Sequence, residues 1–233
     1  MGLPIIHADS ISYTIARQGH EGVVIDVPLH RNTREGNAAW TALDVERCPN
    51  CPLRGQSSCP AAADLEPVVS ALGDVASIAR VNVTVAQHAR TVSQTVSGEA
   101  AARALLGLLM ATSGCPIVSR LRPLAVMHLP FASAAETTFR FAALHLLAQY
   151  FEALERDTPP RLDLASLRAD MAGLEEVNRA FARRMRVACR NDAIPNALSA
   201  LFSMSMIIGE EAEDGLSLLR PLFERPEPSA QRV

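Results

Sequence analysis

Three cysteines inside twelve residues, Cys48, Cys51 and Cys59, constrain this chain more tightly than any other feature. Their spacing is C-x2-C-x7-C, and a proline follows each of them (Pro49, Pro52, Pro60). The residues between are polar and turn-forming: Asn50, Arg54, Gly55, Gln56, Ser57 and Ser58. Free cysteine is often an ordinary core residue, but such a loop is a poor place to bury three thiols for packing. The spacing is that of thiolate ligands, so a metal or iron–sulfur centre is expected. Such sites usually take four ligands. Cys115 opens a fourth Cys-Pro pair at the end of a helical pattern and is the expected fourth ligand, with His30, His88 and His128 as rivals. Cys189, beside Val187 and Ala188, reads as packing.

The rest of the chain reads as α+β. Ser10 to Ile15 alternates polar and apolar residues, Val23 to Val27 is a β-branched run, and two glycines lie between them, which predicts a hairpin. Val81 to Val85 and Thr91 to Val96 predict a second one. A helix is expected from Cys59-Pro60 to about Leu72, and another from Glu99 to Thr112 with Gly114 closing it. Beyond that the pattern is helical: Ala134 to Arg156, Asp163 to Arg190, Ala197 to Ile208 and Gly215 to Phe223. Leu144, Leu147, Phe151 and Leu154 mark one face of the first of these, and Leu174, Val177, Phe181, Met185 and Ala188 one face of the second. The expected organisation is one domain over residues 1–224, with a small antiparallel sheet of two hairpins and the cysteine loop in 1–98 and a helical bundle in 99–224. Residues 225–233 hold too little apolar content to pack and are expected to form a flexible tail.

Composition removes several functions. All 22 basic residues are Arg, which excludes Schiff-base chemistry and a P-loop lysine. A net charge of −3 gives no global attraction to nucleic acid, so none is expected as a partner. The longest apolar run, Phe141 to Phe151, is interrupted by His145 and Gln149 and falls short of the ~20 residues a membrane span requires. Five cysteines, two of them in C-x-x-C, suit a reduced ligand set better than disulfides, and the expected location is the cytoplasm.

The loop resembles the cysteine loops of iron–sulfur DNA glycosylases of the adenine-mismatch type, where Cys-x-x-Cys-Pro-Leu precedes a further cysteine. It also resembles the loop of WhiB-like cluster proteins. The final gap is seven residues here and five in those families, and no glycosylase catalytic residues are recognisable. The resemblance therefore implies cluster ligation and nothing about DNA. Zinc remains the alternative, since it is the common metal of four-cysteine sites. Pro52, however, stands where a zinc knuckle favours glycine. Three further segments, Ala111 to Pro116, Leu121 to Ala132 and Leu146 to Phe151, resemble the centre of an uncharacterised bacterial protein family. That likeness implies a coherent unit without an activity.

Other residues have plainer readings. His128, bracketed by Pro123 and Pro130, is a ligand or proton carrier in one reading and a satisfied buried histidine in the other. Met204 and Met206 are soft-ligand candidates whose ordinary role is core filling. Arg179, Arg183, Arg186 and Arg190 share a helical face suited either to phosphates or to solvent. The expectation is a cytoplasmic thiolate-centre protein with a regulatory, sensor or adaptor role, meeting a protein partner through its helical surface. The alternative is a redox or hydrolytic enzyme using the same centre.

Overall fold

A computed structural model describes residues 10–17, 21–30, 34–88 and 90–224. The predicted tail at 225–233 lies outside them. The two hairpins form as expected: β1 (Ser10–Arg17) pairs antiparallel with β2 (Val23–Pro28), and β3 (Arg80–Gln87) with β4 (Arg90–Ser97). They join through an antiparallel β1–β3 pairing into one sheet of order β2-β1-β3-β4. Alternation places Ile11, Tyr13, Ile15, Val81, Val83 and Val85 on the buried face. β4, rich in Thr, Ser and Gln, is an exposed edge that buries none of its side chains fully.

Helices cover the buried face. The stretch expected as one helix from residue 60 is two: α1 (Pro60–Asp64) and α2 (Glu66–Leu72). Pro67 causes the break, because it lacks the N–H an uninterrupted helix would need and its ring crowds the preceding turn. α3 (Gly98–Thr112) is the central helix, capped by the Ser97 hydroxyl accepting from Ala100 N–H, with Ala101, Ala102, Leu105 and Leu106 fully buried. It packs on the sheet and on α1 and α2. A 3-10 turn at Val118–Leu121 leads to the short α4 (Arg122–Val126).

The remaining helices are α5 (Ala134–Arg156), α6 (Ala165–Ala188) and α7 (Ala193–Glu213). α5 begins in a capping box, with Ser133 and Glu136 satisfying each other's backbone N–H groups. α7 corrects the sequence reading, which ran a helix only from Ala197 to Ile208 and placed a separate one at 215–223. Pro195 falls in the first turn of α7, where its missing N–H costs nothing, and the second segment holds only a 3-10 turn at Arg220–Phe223. By length and composition α7 could cross a bilayer, but here it packs between α6 and α3. The α6 stripe is buried as expected at Leu174, Val177, Phe181 and Met185. The α5 stripe is not: Leu147, Phe151 and Leu154 are more than half exposed. α5 buries Thr138, Ala142, Gln149 and Ala153 instead. Ala142 joins Leu167, Met171, Leu174, Ile208 and Ala212 in a small second core beside the main one.

Candidate metal centre

The cysteine loop is built by backbone hydrogen bonds. Cys51 N–H donates to Cys48 O at 3.0 Å, closing the first turn, and Arg54 Nη1 donates to Cys51 O and Leu53 O, both at 2.8 Å. Gly55 takes a φ of +71°, the left-handed conformation that Pro52 cannot supply. The chain then returns past its own start: Leu43 N–H donates to Ser57 O at 3.0 Å and Cys59 N–H to Thr41 O at 2.8 Å. Asn50 Nδ2 donates to Gly173 O at 2.9 Å, tying the loop to α6.

Cys59 is the cap residue of α1; its side chain makes no capping hydrogen bond, but the backbone N–H groups of Ala62 and Ala61 favour its thiolate. Cys115 arrives from the far end of α3. Gly114 does not close that helix with a left-handed residue, as the sequence suggested. Ser113 turns the chain in an extended conformation, its hydroxyl donating to Met110 O at 2.6 Å and accepting from Cys115 N–H at 3.3 Å. α1 packs against α3, so the loop and the helix end meet.

The four sulfurs share one electrostatic neighbourhood. Burial pushes the Cys48 thiol up to about 12, and the negative charges of Cys59, Cys115 and Cys51 push in the same direction. Burial also raises Cys59, with Cys115 adding to it. Cys59 and Cys115 are buried, and Cys48 and Cys51 half-buried. The neighbouring thiolates oppose the ionisation of Cys48 and Cys59, and a cation among them reverses that opposition. Among the described residues, however, no three His, Cys, Asp or Glu side chains stand close enough to hold a single metal ion.

One cation is part of the protein. Arg184, 1% exposed, donates from its guanidinium to Trp40 O at 3.0 Å, Ala42 O at 2.9 Å and Leu43 O at 3.3 Å. Its charge lowers the Cys48 and Cys59 thiols, while burial, the larger effect, lowers its own pKa and the cysteines raise it. Sequence reasoning passed over Arg184. The signal was present: it lies three residues after Phe181 and seven after Val177, on the apolar stripe of α6, where a lone arginine must find buried acceptors.

The rival ligands go elsewhere. His30 and His88 are exposed. His128 Nε2 shares a 2.5 Å hydrogen bond with the Tyr13 hydroxyl of β1. Burial, with the Arg140 cation second, brings His128 down to about 4 and keeps it neutral at pH 7, and burial raises Tyr13 above its ordinary value. The satisfied, buried histidine is the reading the geometry supports. Cys189 is pushed up to about 11 by burial, with no charge from another cysteine. Two of the four arginines of the exposed face are engaged. Arg179 pairs with Glu176 at 2.8 Å and lies over the Phe202 ring at 4.9 Å, and Arg183 pairs with Glu46 at 2.8 Å. Met204 faces a pocket and Met206 is exposed, so neither joins the thiols.

No curated protein and no solved structure is significantly similar to the chain. A family model does match it: the domain of unknown function DUF6901, over residues 20–224. The chain belongs to that family.

Proposed function

We propose that Cys48, Cys51, Cys59 and Cys115 ligate a metal centre that clasps the cysteine loop to the end of α3, and that the protein serves as a cytoplasmic sensor or regulator through it. The observation that carries this reading is the convergence of two distant segments. Thiols from the loop and from residue 115 lie within reach of one another's charge, with the buried Arg184 offsetting part of it. Between the two candidate centres, the loop's likeness to iron–sulfur cysteine loops, with Pro52 where a zinc knuckle favours glycine, favours an iron–sulfur cluster. Loss or oxidation of the centre would loosen the loop, which Asn50 and Glu46 also tie to α6. The exposed apolar stripe of α5 is the surface this reading assigns to a protein partner.

The test is metal content and a visible spectrum on protein purified without air, for the native chain and for Cys115→Ser. Several irons per chain and absorption near ~400 nm, both lost in the variant, are expected. One colourless zinc per chain would keep the ligand set and reject the cluster. A chain that retains no metal, even after anaerobic reconstitution with iron and sulfide or with zinc, would reject both.

A further inference from the structure

A second site lies among the helices, apart from the cysteines. A partly open pocket of about 170 Å³ is lined by α3, α4, α5, α6, α7 and the segments flanking α4. Its walls are mostly apolar, with Leu108, Leu121, Phe141, Leu201 and Ile208 among them. A cavity of ~150 Å³ is large enough to hold benzene, so this one admits a ligand of about that size with a small polar group.

The charged lining is one-sided. Arg140 and Arg103 line the pocket beside the neutral polar residues His128, Thr137, Asn178 and Ser205, and no carboxylate is found among the described residues that line it. The Arg103 charge is already met by Glu99 at 3.0 Å. Arg140 is different. Its Nη2 donates to Leu124 O at 2.8 Å and Met127 O at 2.9 Å, which fixes the guanidinium in place. Its other nitrogens carry no hydrogen bond among the described residues. The nearby Glu136 is committed to the capping box, accepting from the Ser133 N–H and hydroxyl. A positioned arginine at the wall of an apolar cavity is an anion receptor with an apolar compartment attached.

Gly107 supports the same conclusion independently. It lies in the middle of α3, where glycine is an unfavourable residue. A Cβ added there would meet nothing within 4 Å, although Gly107 lines the pocket. Packing does not demand glycine at this position; the open space is what a side chain would fill.

We propose that this pocket binds a small carboxylate with a compact apolar body, its carboxylate on Arg140 and its body against α3 and α7. The experiment is calorimetric titration of the full-length protein with benzoate and with hexanoate, and with benzyl alcohol and benzylamine as neutral and cationic counterparts. At least one of the acids should bind saturably, at least tenfold tighter than either counterpart. Gly107→Leu, whose Cβ enters open space at the pocket wall, should abolish that binding while melting no lower than the native protein. Arg140→Gln should remove the preference for the acid over the alcohol. Absence of saturable binding by both acids would overturn the proposal. So would equal affinity for acid, alcohol and amine, or full binding by a folded Gly107→Leu.

Discussion

Lowering the pH from 7 to 4 acts on the Tyr13–His128 pair, which holds the sheet to the segment after α4. Free imidazole titrates near 6.5, whereas in the fold His128 titrates near about 4, through burial first and the Arg140 cation second. Between those two values the unfolded chain binds a proton that the native chain refuses, so stability falls as pH falls through this window. At ~1.36 kcal/mol per pH unit, the difference amounts to about 3 kcal/mol lost by pH 4. That is a large part of the 5–15 kcal/mol typical of a folded domain. The assay is urea unfolding at pH 7, 5.5 and 4 for the native protein and for His128→Gln. An amide of similar size can keep a hydrogen bond to the Tyr13 hydroxyl without titrating. Glu136 and Asp192 are both held below the usual carboxylate range, chiefly by backbone N–H groups of Ser133 and Ser77, and they add acid sensitivity to both proteins alike. The native protein should therefore lose about 3 kcal/mol more than the variant between pH 7 and 4, with an unchanged denaturant slope. Parallel stability curves for the two proteins would refute the reasoning. They would mean that His128 is protonated in the native state or that the cavity admits water to it.

Two further substitutions test packing, one beside the candidate centre and one at the opposite end of α3. Arg184→Met keeps the length of the side chain but strands the carbonyls of Trp40, Ala42 and Leu43 without their donor. A loss of about 3 kcal/mol or more is expected in chemical denaturation, together with a higher pKa for the Cys48 and Cys59 thiols in alkylation-rate profiles. Gly98→Ala would place a Cβ 2.6 Å from Ala76 O and 2.8 Å from Val75 Cγ1, where α3 leaves the sheet. The clash with backbone should outweigh the gain in helix propensity and cost about 1–3 kcal/mol, read as a lower melting temperature.

The sheet was legible in the sequence because both hairpins have short connections and strands that alternate or are rich in β-branched residues, so local pattern and final pairing coincide. The β1–β3 pairing that merges them was not, since nothing local marks which edges meet. The helices show the same division. Apolar spacing finds a face but not what covers it. On α6 the stripe of Leu174, Val177, Phe181 and Met185 is buried against its neighbours, whereas the equally regular stripe of Leu147, Phe151 and Leu154 on α5 faces outward. Competition for a limited core decides between them, and α5 meets it through the smaller Ala142 and Ala153.

The candidate site divides along the same line. Ligand spacing is a property of a loop, so Cys48, Cys51 and Cys59 announce themselves within twelve residues. Cys115 was reachable only because a Cys-Pro pair at a helix end repeats the loop's own idiom. Arg184 has no partner within the window of any local motif: its acceptors at residues 40, 42 and 43 lie some 140 positions earlier in the chain. It was nonetheless detectable by a physical rule. A charge set on the apolar stripe of a buried helix cannot remain unpaired, so it must reach either a carboxylate or a ring of carbonyls. The carbonyls it reaches belong to the segment that leads into the cysteine loop. The residue that escaped the sequence reading therefore ties the segment leading into the loop to α6 and supplies positive charge beside the thiols.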